Sequence, residues 1–144
     1  CVGLEPCVIP ALGHSNFKIE DGTMEFGVGH HGEAGTKVEK LKSASEMAQE
    51  MAETILNDFD FEEGKEVAVM LSSLGATPVM ELYVLYDEVE KVLAKAGHKV
   101  WKTYIGNYVT SLDMNGASLT IVDLDDEIKE LLSEPAVPIG MKNY

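Results

Sequence analysis

Two adjacent histidines, His30 and His31, lie inside the stretch Gly27-Val28-Gly29-His30-His31-Gly32-Glu33-Ala34-Gly35. Imidazole has the side-chain pKa closest to neutrality, so it can serve as acid, base, nucleophile or metal ligand. Gly29 and Gly32 would let a ligand approach the ring closely, and Glu33, two residues after His31, could fix its tautomer. Taken alone, these residues also fit a plainer reading, a surface histidine in a mobile glycine loop. The same stretch spells G-x-G-x-x-G, but dinucleotide binding requires a helix to open on the last glycine. Here Gly35 and Thr36-Lys37 follow, and no helical period returns before Ser43. No G-x-x-x-x-G-K-[ST] loop for ATP phosphates is present either. A metal site would recruit His14 or Cys7 beside Glu33. Zinc ligands come in recognisable spacings, and adjacent histidines in extended chain point to opposite sides, so no metal is expected. That alternation instead predicts one histidine facing a cleft and its neighbour facing away.

Two further polar groups read as structural. Ser111 and Asp113 lack the G-x-S-x-G elbow of a serine hydrolase and are expected to cap a helix. His98, directly after Gly97, is expected to sit as a cation at a helix C-terminus.

The elements that must carry the glycine stretch can be read from periodicity. Cys1 to Ser15, with Pro6 and Pro10, reads as an extended lead-in. Met24 to Val28 is a short strand running into the glycines, and Thr36 to Lys42 is an exposed strand after them. Ser43-Ala44-Ser45-Glu46 is a capping box, followed by Met47, Ala48, Met51, Ala52, Ile55 and Leu56 at helical spacing. Glu66 to Leu71 reads as a buried strand. Thr77 is the expected cap and Pro78 the first residue of a helix ending near Ala96 at Gly97. Strands over His98 to Ile105 and Ser118 to Val122 follow, the second after an expected turn at Asn115-Gly116, and then a helix over Asp125 to Leu132. The pattern predicts an α/β or two-layer α+β fold, a mixed sheet with helices packed on it. Residues 1–144 read as a single domain with 133–144 as tail or linker.

Composition excludes whole classes of function. Eleven lysines and no arginine face 25 acidic residues, for a formal charge of −14. Binding nucleic acid or an anionic membrane requires clustered basic residues, so neither partner is expected. Cys1 and Cys7 read as reduced thiols, and no apolar run approaches a membrane span or a signal peptide. A cytoplasmic protein is expected. The opening on Cys1, inside an apolar stretch, reads as part of a longer polypeptide.

Several segments resemble the substrate-binding part of dihydroxyacetone (glycerone) kinases. They are Cys7-Val8-Ile9-Pro10, the run from Glu25 to Gly35 (E-x-G-x-G-x-H-G-E-x-G), Leu74-Gly75-Ala76-Thr77-Pro78-Val79-Met80-Glu81-Leu82, and Gly106 to Thr120. The resemblance implies that His31 is the catalytic histidine. Its Nε2 would add to the ketone carbon of dihydroxyacetone to give a hemiaminal, with Gly29, Gly32 and Glu33 around the substrate. Such capture would select short ketoses and aldoses over polyols such as glycerol, whose carbons offer no carbonyl. His30 stands where the family more often has an apolar residue, and Ala34 where it more often has proline. The resemblance further implies that this is the second domain of the substrate-binding subunit, preceded by an N-terminal domain with more of the sugar contacts, and that the subunit is a homodimer. ATP or ADP with Mg²⁺ would sit on a separate all-helical domain or subunit. This chain itself would bind no cofactor. Two alternatives are a ketose-sensing regulatory relative and a kinase for another short ketose such as erythrulose.

Overall fold

The computed structural model describes residues 1–141 apart from Asn16, Gly32 and Glu63. The elements run β1 (Val2–Glu5), β2 (Thr23–Phe26), β3 (Lys37–Lys40), α1 (Ala44–Asp58), β4 (Glu66–Ser73), α2 (Val79–Lys95), β5 (Lys99–Gly106), β6 (Asn115–Asp123) and α3 (Asp126–Ser133). They build one six-stranded mixed sheet in the order β3-β2-β1-β6-β4-β5. Only β4 and β5 are parallel, joined through α2; every other neighbour pair is antiparallel. The α/β reading with a mixed sheet therefore holds.

Apolar side chains of β4 alternate: Val67, Val69 and Leu71 join the main core with Leu82, Leu85, Val89 and Leu93 of α2 and Ala48, Met51 and Ala52 of α1. Each large side chain so buried contributes about 1.5–3 kcal/mol relative to exposure. α1 starts on the expected capping box: Glu46 accepts from the Ser43 N–H at 2.9 Å while the Ser43 hydroxyl accepts from the Glu46 N–H. α2 ends as expected at Gly97, where φ of +89° lets the His98 N–H reach back to Leu93 C=O at 2.9 Å. On the opposite face, α3 is tied down by Lys129 to Glu66 and by the Lys102 ammonium donating to Leu132 C=O.

Four expectations fail, each where a tertiary contact overrides local pattern. The lead-in contains β1, which lies inside the sheet between β2 and β6. Four residues with one glycine give no alternation to read, and the strand forms because both neighbours pair with it. Asn115-Gly116 is no turn but the start of β6, and a Cβ on Gly116 would strike the Val2 carbonyl oxygen. Thr77 does not cap α2, whose N-cap is Pro78 without a side-chain bond; its hydroxyl instead accepts from the Gly116 N–H at 2.8 Å and lies 2.7 Å from Gly116 C=O. Asp113 caps no helix and accepts from the Val8 N–H at 2.7 Å, while the Ser111 N–H donates to Leu74 C=O. His98 does stand just past the C-terminus of α2, and there its ring is buried edge-on against Phe61 at 5.6 Å.

Thr77→Val should therefore lower stability by about 1–3 kcal/mol, because it strands the buried Gly116 amide. Urea unfolding reads this directly, and an unchanged midpoint would show that the Thr77–Gly116 bonds contribute nothing.

Candidate functional site

The glycine stretch connects β2 to β3 as the loop of an antiparallel hairpin, with Phe26 opposite Lys37. No helix follows it until α1, so the dinucleotide reading has no helix N-terminus to stand on. Its base is closed by Thr36 N–H to Phe26 C=O at 2.8 Å and by Gly27 N–H to Cys1 C=O at 2.7 Å. Gly27 takes φ of +78°, a turn that side chains resist. A second clamp joins the ends of the stretch, where the Glu25 carboxylate accepts from the Gly35 N–H at 2.5 Å. A Cβ at Gly35 would land on the Glu25 side chain and the Phe26 carbonyl, so this close approach needs glycine.

Within that frame the Gly29 N–H donates to Glu33 C=O at 2.9 Å, folding the tip back on itself. The Glu33 carboxylate then accepts from the His31 N–H at 3.0 Å and lies 3.5 Å from His31 Nδ1. The backbone N–H groups of Glu33 and His31, with a smaller contribution from the imidazole, hold this carboxyl below its ordinary pKa. Gly29 makes the arrangement sterically feasible, because a Cβ there would fall on the Glu33 carboxylate. Gly32 lies outside the described residues.

The two histidines diverge as alternation requires. His30 turns inward: its ring Nδ1 lies 4.0 Å from the Cys1 thiol, and its Nε2 is buried without a hydrogen-bond partner among the described residues. His31 turns outward, with 90% of its side chain exposed. A carboxylate against Nδ1 favours the neutral tautomer that carries its proton there, which leaves the Nε2 lone pair directed at solvent. Chemically, an imidazole so presented on a braced hairpin can serve as nucleophile or general base. Among the described residues, no three His, Cys, Asp or Glu side chains are placed to share a metal ion, and Cys7 and His14 are not brought to the loop as ligands. No helix of the described residues is long and apolar enough to cross a membrane.

Residue reasoning named His31, Gly29, Gly32 and Glu33 but passed over Glu25 and Gly35. Those two are the outer letters of the E-x-G-x-G-x-H-G-E-x-G pattern, and their places at either end of a glycine loop between two expected strands are the signal that they meet.

An α/β domain that carries a carboxylate-braced histidine on a glycine hairpin defines the class, and comparison with known proteins defines the family. The Dak1 domain model matches residues 1–139, and the chain belongs to that family. The dihydroxyacetone-binding subunit DhaK of PTS-dependent dihydroxyacetone kinase 1 from Listeria innocua is 42% identical over 126 residues, 88% of this chain and 38% of that protein. A D-erythrulose kinase of Mycolicibacterium smegmatis is 36% identical over 94% of this chain and 23% of its own length. Among solved structures, the dihydroxyacetone kinase operon co-activator Dha-DhaQ superposes with a TM-score of 0.86 at 30% identity, over 93% of this chain and 42% of that one. The dihydroxyacetone kinase of C. freundii superposes with a TM-score of 0.80 at 27% identity, over 92% and 24%. The chain thus spans about two-fifths or less of the length of these relatives.

Removing the brace should be visible on the ring itself. In nitrogen-15 NMR spectra of His31, Glu33→Ala should move the neutral imidazole away from the Nδ1–H form, and Gly29→Ala should do the same with the carboxylate still present. On the backbone, the Glu33 carboxylate accepts from the His31 N–H above its lowered pKa and lets go as pH falls through it, below the range of an ordinary glutamate, which the His31 amide proton shift reads. A tautomer balance indifferent to both substitutions would show that Glu33 does not orient the ring.

Proposed function

We propose that this chain is the C-terminal domain of a dihydroxyacetone-binding kinase subunit and that His31 holds the ketose covalently. The observation that carries the reading is the His31 ring, braced by Glu33 at Nδ1 and open at Nε2, in the family's glycine pattern. Nε2 donates its lone pair to the carbonyl carbon of dihydroxyacetone, the C=O π pair moves to oxygen, and that oxygen gains a proton as the imidazolium gives up its Nδ1 proton toward Glu33 or water. The product is a neutral hemiaminal, formed without a leaving group. A polyol offers no carbonyl to attack, so the chemistry itself discriminates between ketose and glycerol. In this reading Gly29, Gly32 and Glu33 are the residues around the substrate, with Gly29 admitting the Glu33 carboxylate that braces the ring. Covalent capture also fixes the terminal hydroxyl for phosphoryl transfer.

The remaining machinery lies elsewhere in this reading. An N-terminal domain of the same subunit supplies the facing wall of the site and further sugar contacts. ATP or ADP with Mg²⁺ is carried by a separate helical domain or subunit, in keeping with a chain that has no arginine to steady a transferring phosphoryl group. The subunit works in the cytoplasm as a homodimer. Two observations favour variants of the same theme. The likeness to an operon co-activator supports a ketose-sensing regulator without turnover, and the likeness to a D-erythrulose kinase supports a four-carbon ketose as substrate.

A turnover assay with the full-length subunit, its nucleotide-binding partner and dihydroxyacetone separates these. A kinase forms dihydroxyacetone phosphate, and His31→Ala lowers kcat/KM by about 10²-fold or more. A regulator binds the ketose and releases no phosphorylated product, and a His31→Ala variant with normal kcat/KM would remove the histidine from the mechanism.

A further inference from the structure

Strand β6 is longer than the neighbour on one of its sides. β4 pairs with it from Ala117 through Asp123, whereas β1 pairs with it only from Asn115 through Ala117. Gly116 C=O accepts from the Leu74 N–H on the β4 side. Alternation along the unbroken register then turns the backbone groups of Ser118, Thr120 and Val122 toward β4, and those of Leu119, Ile121 and Asp123 the other way. Among the described residues no strand lies there to receive them. A groove of about 930 Å³ runs along the same stretch, lined by Thr54, Ile55, Phe59, Phe61, Ile121 and Asp123. An unpaired edge beside an apolar groove is a template for one more strand.

We propose that the segment preceding Cys1 in the full-length subunit continues β1 along this edge, antiparallel to β6 opposite Leu119–Asp123, and covers the groove. The inference rests on the reading above that an N-terminal domain precedes this chain. The register argues for it. Val2 lies opposite Ala117, so Cys1 falls opposite Ser118 and the residue before Cys1 opposite Leu119. Cys1 gives its carbonyl to Gly27 of the hairpin, so the residue before it turns its N–H and C=O toward β6, where Leu119 presents the complementary pair. Most of the length of the relatives lies outside the matched region, and the proposed N-terminal domain puts part of that length before Cys1, where it can fill the edge. A strand continuing in line from β1 avoids the loss of translational freedom that a second copy would incur on the same edge. The segment begins beside His30, whose Nδ1 lies 4.0 Å from the Cys1 thiol.

Cysteines at Thr120 and at the second residue before Cys1 would form a non-hydrogen-bonded pair, with Cα atoms about 4.5 Å apart and within reach of a disulfide. In the oxidised full-length subunit, peptide mass mapping should find this link within one chain, and the same upstream cysteine should fail to link to Val122→Cys. In the unaltered full-length subunit, the amides of Leu119, Ile121 and Asp123 should exchange as slowly as those of a central strand. A link joining residue 120 of two subunits, a preference for position 122, or fast exchange at those three amides would overturn the strand while leaving the domain reading intact. A reading frame with no polypeptide before Cys1 would overturn the domain reading itself.

Discussion

Four residues, Val2–Glu5, hold the two halves of this sheet together. On one side lie β4, β5 and β6, with α1 and α2 packed on their apolar face; on the other lies the β2–β3 hairpin that carries both histidines. β1 pairs with Phe26 and Glu25 across one edge and with Ala117, Gly116 and Asn115 across the other. Its fit is close on both flanks, since Gly116 has no room for a Cβ against the Val2 carbonyl and Gly3 lies against Val28 and Ile19. If β1 were displaced, the hairpin would lose its strand partner in the sheet and keep the packing of Met24 and Phe26 in the main core and the ionic ties to α1, where Lys37 and Lys42 share Glu50. Packing and ion pairs are not specific for register, so the backbone register that aims the loop depends on the strand.

The loop repeats the same economy at smaller scale. A carboxylate at each of two levels organises it: Glu25 closes the ends onto Gly35, and Glu33 folds the tip against the His31 amide and ring. Both contacts are possible because the position a side chain would occupy is vacant at Gly35 and at Gly29. The glycines therefore serve close approach of carboxylates to backbone more than flexibility. A histidine held this way is oriented before any ligand arrives, which is what nucleophilic capture of a small neutral sugar requires.

Much of this was legible in the sequence, for identifiable reasons. α1 and α2 announced themselves through a capping box, a terminal Gly97 and long stripes at helical spacing, and β4 through a continuous apolar run. The pairing of His31 with Glu33 is a local, two-residue relation, so it too could be read. What could not be read depended on residues far apart in the chain. β1 owes its existence to partners at Phe26 and Ala117, Thr77 bonds to Gly116 rather than to its own helix, and His98 is buried because Phe61 covers it. In each case the local signal was sound as propensity and was outweighed by a tertiary contact.

The proposed covalent capture by His31 can be tested without turnover. Dihydroxyacetone labelled with carbon-13 at its carbonyl, mixed with the nitrogen-15-labelled full-length subunit, should give a carbon resonance in the range of a tetrahedral carbon bearing nitrogen and oxygen. That resonance should be coupled to Nε2 of His31 and be lost in His31→Ala. A bound ketose whose labelled carbon shows no coupling to the His31 ring would contradict the hemiaminal and leave His31 with, at most, a non-covalent role.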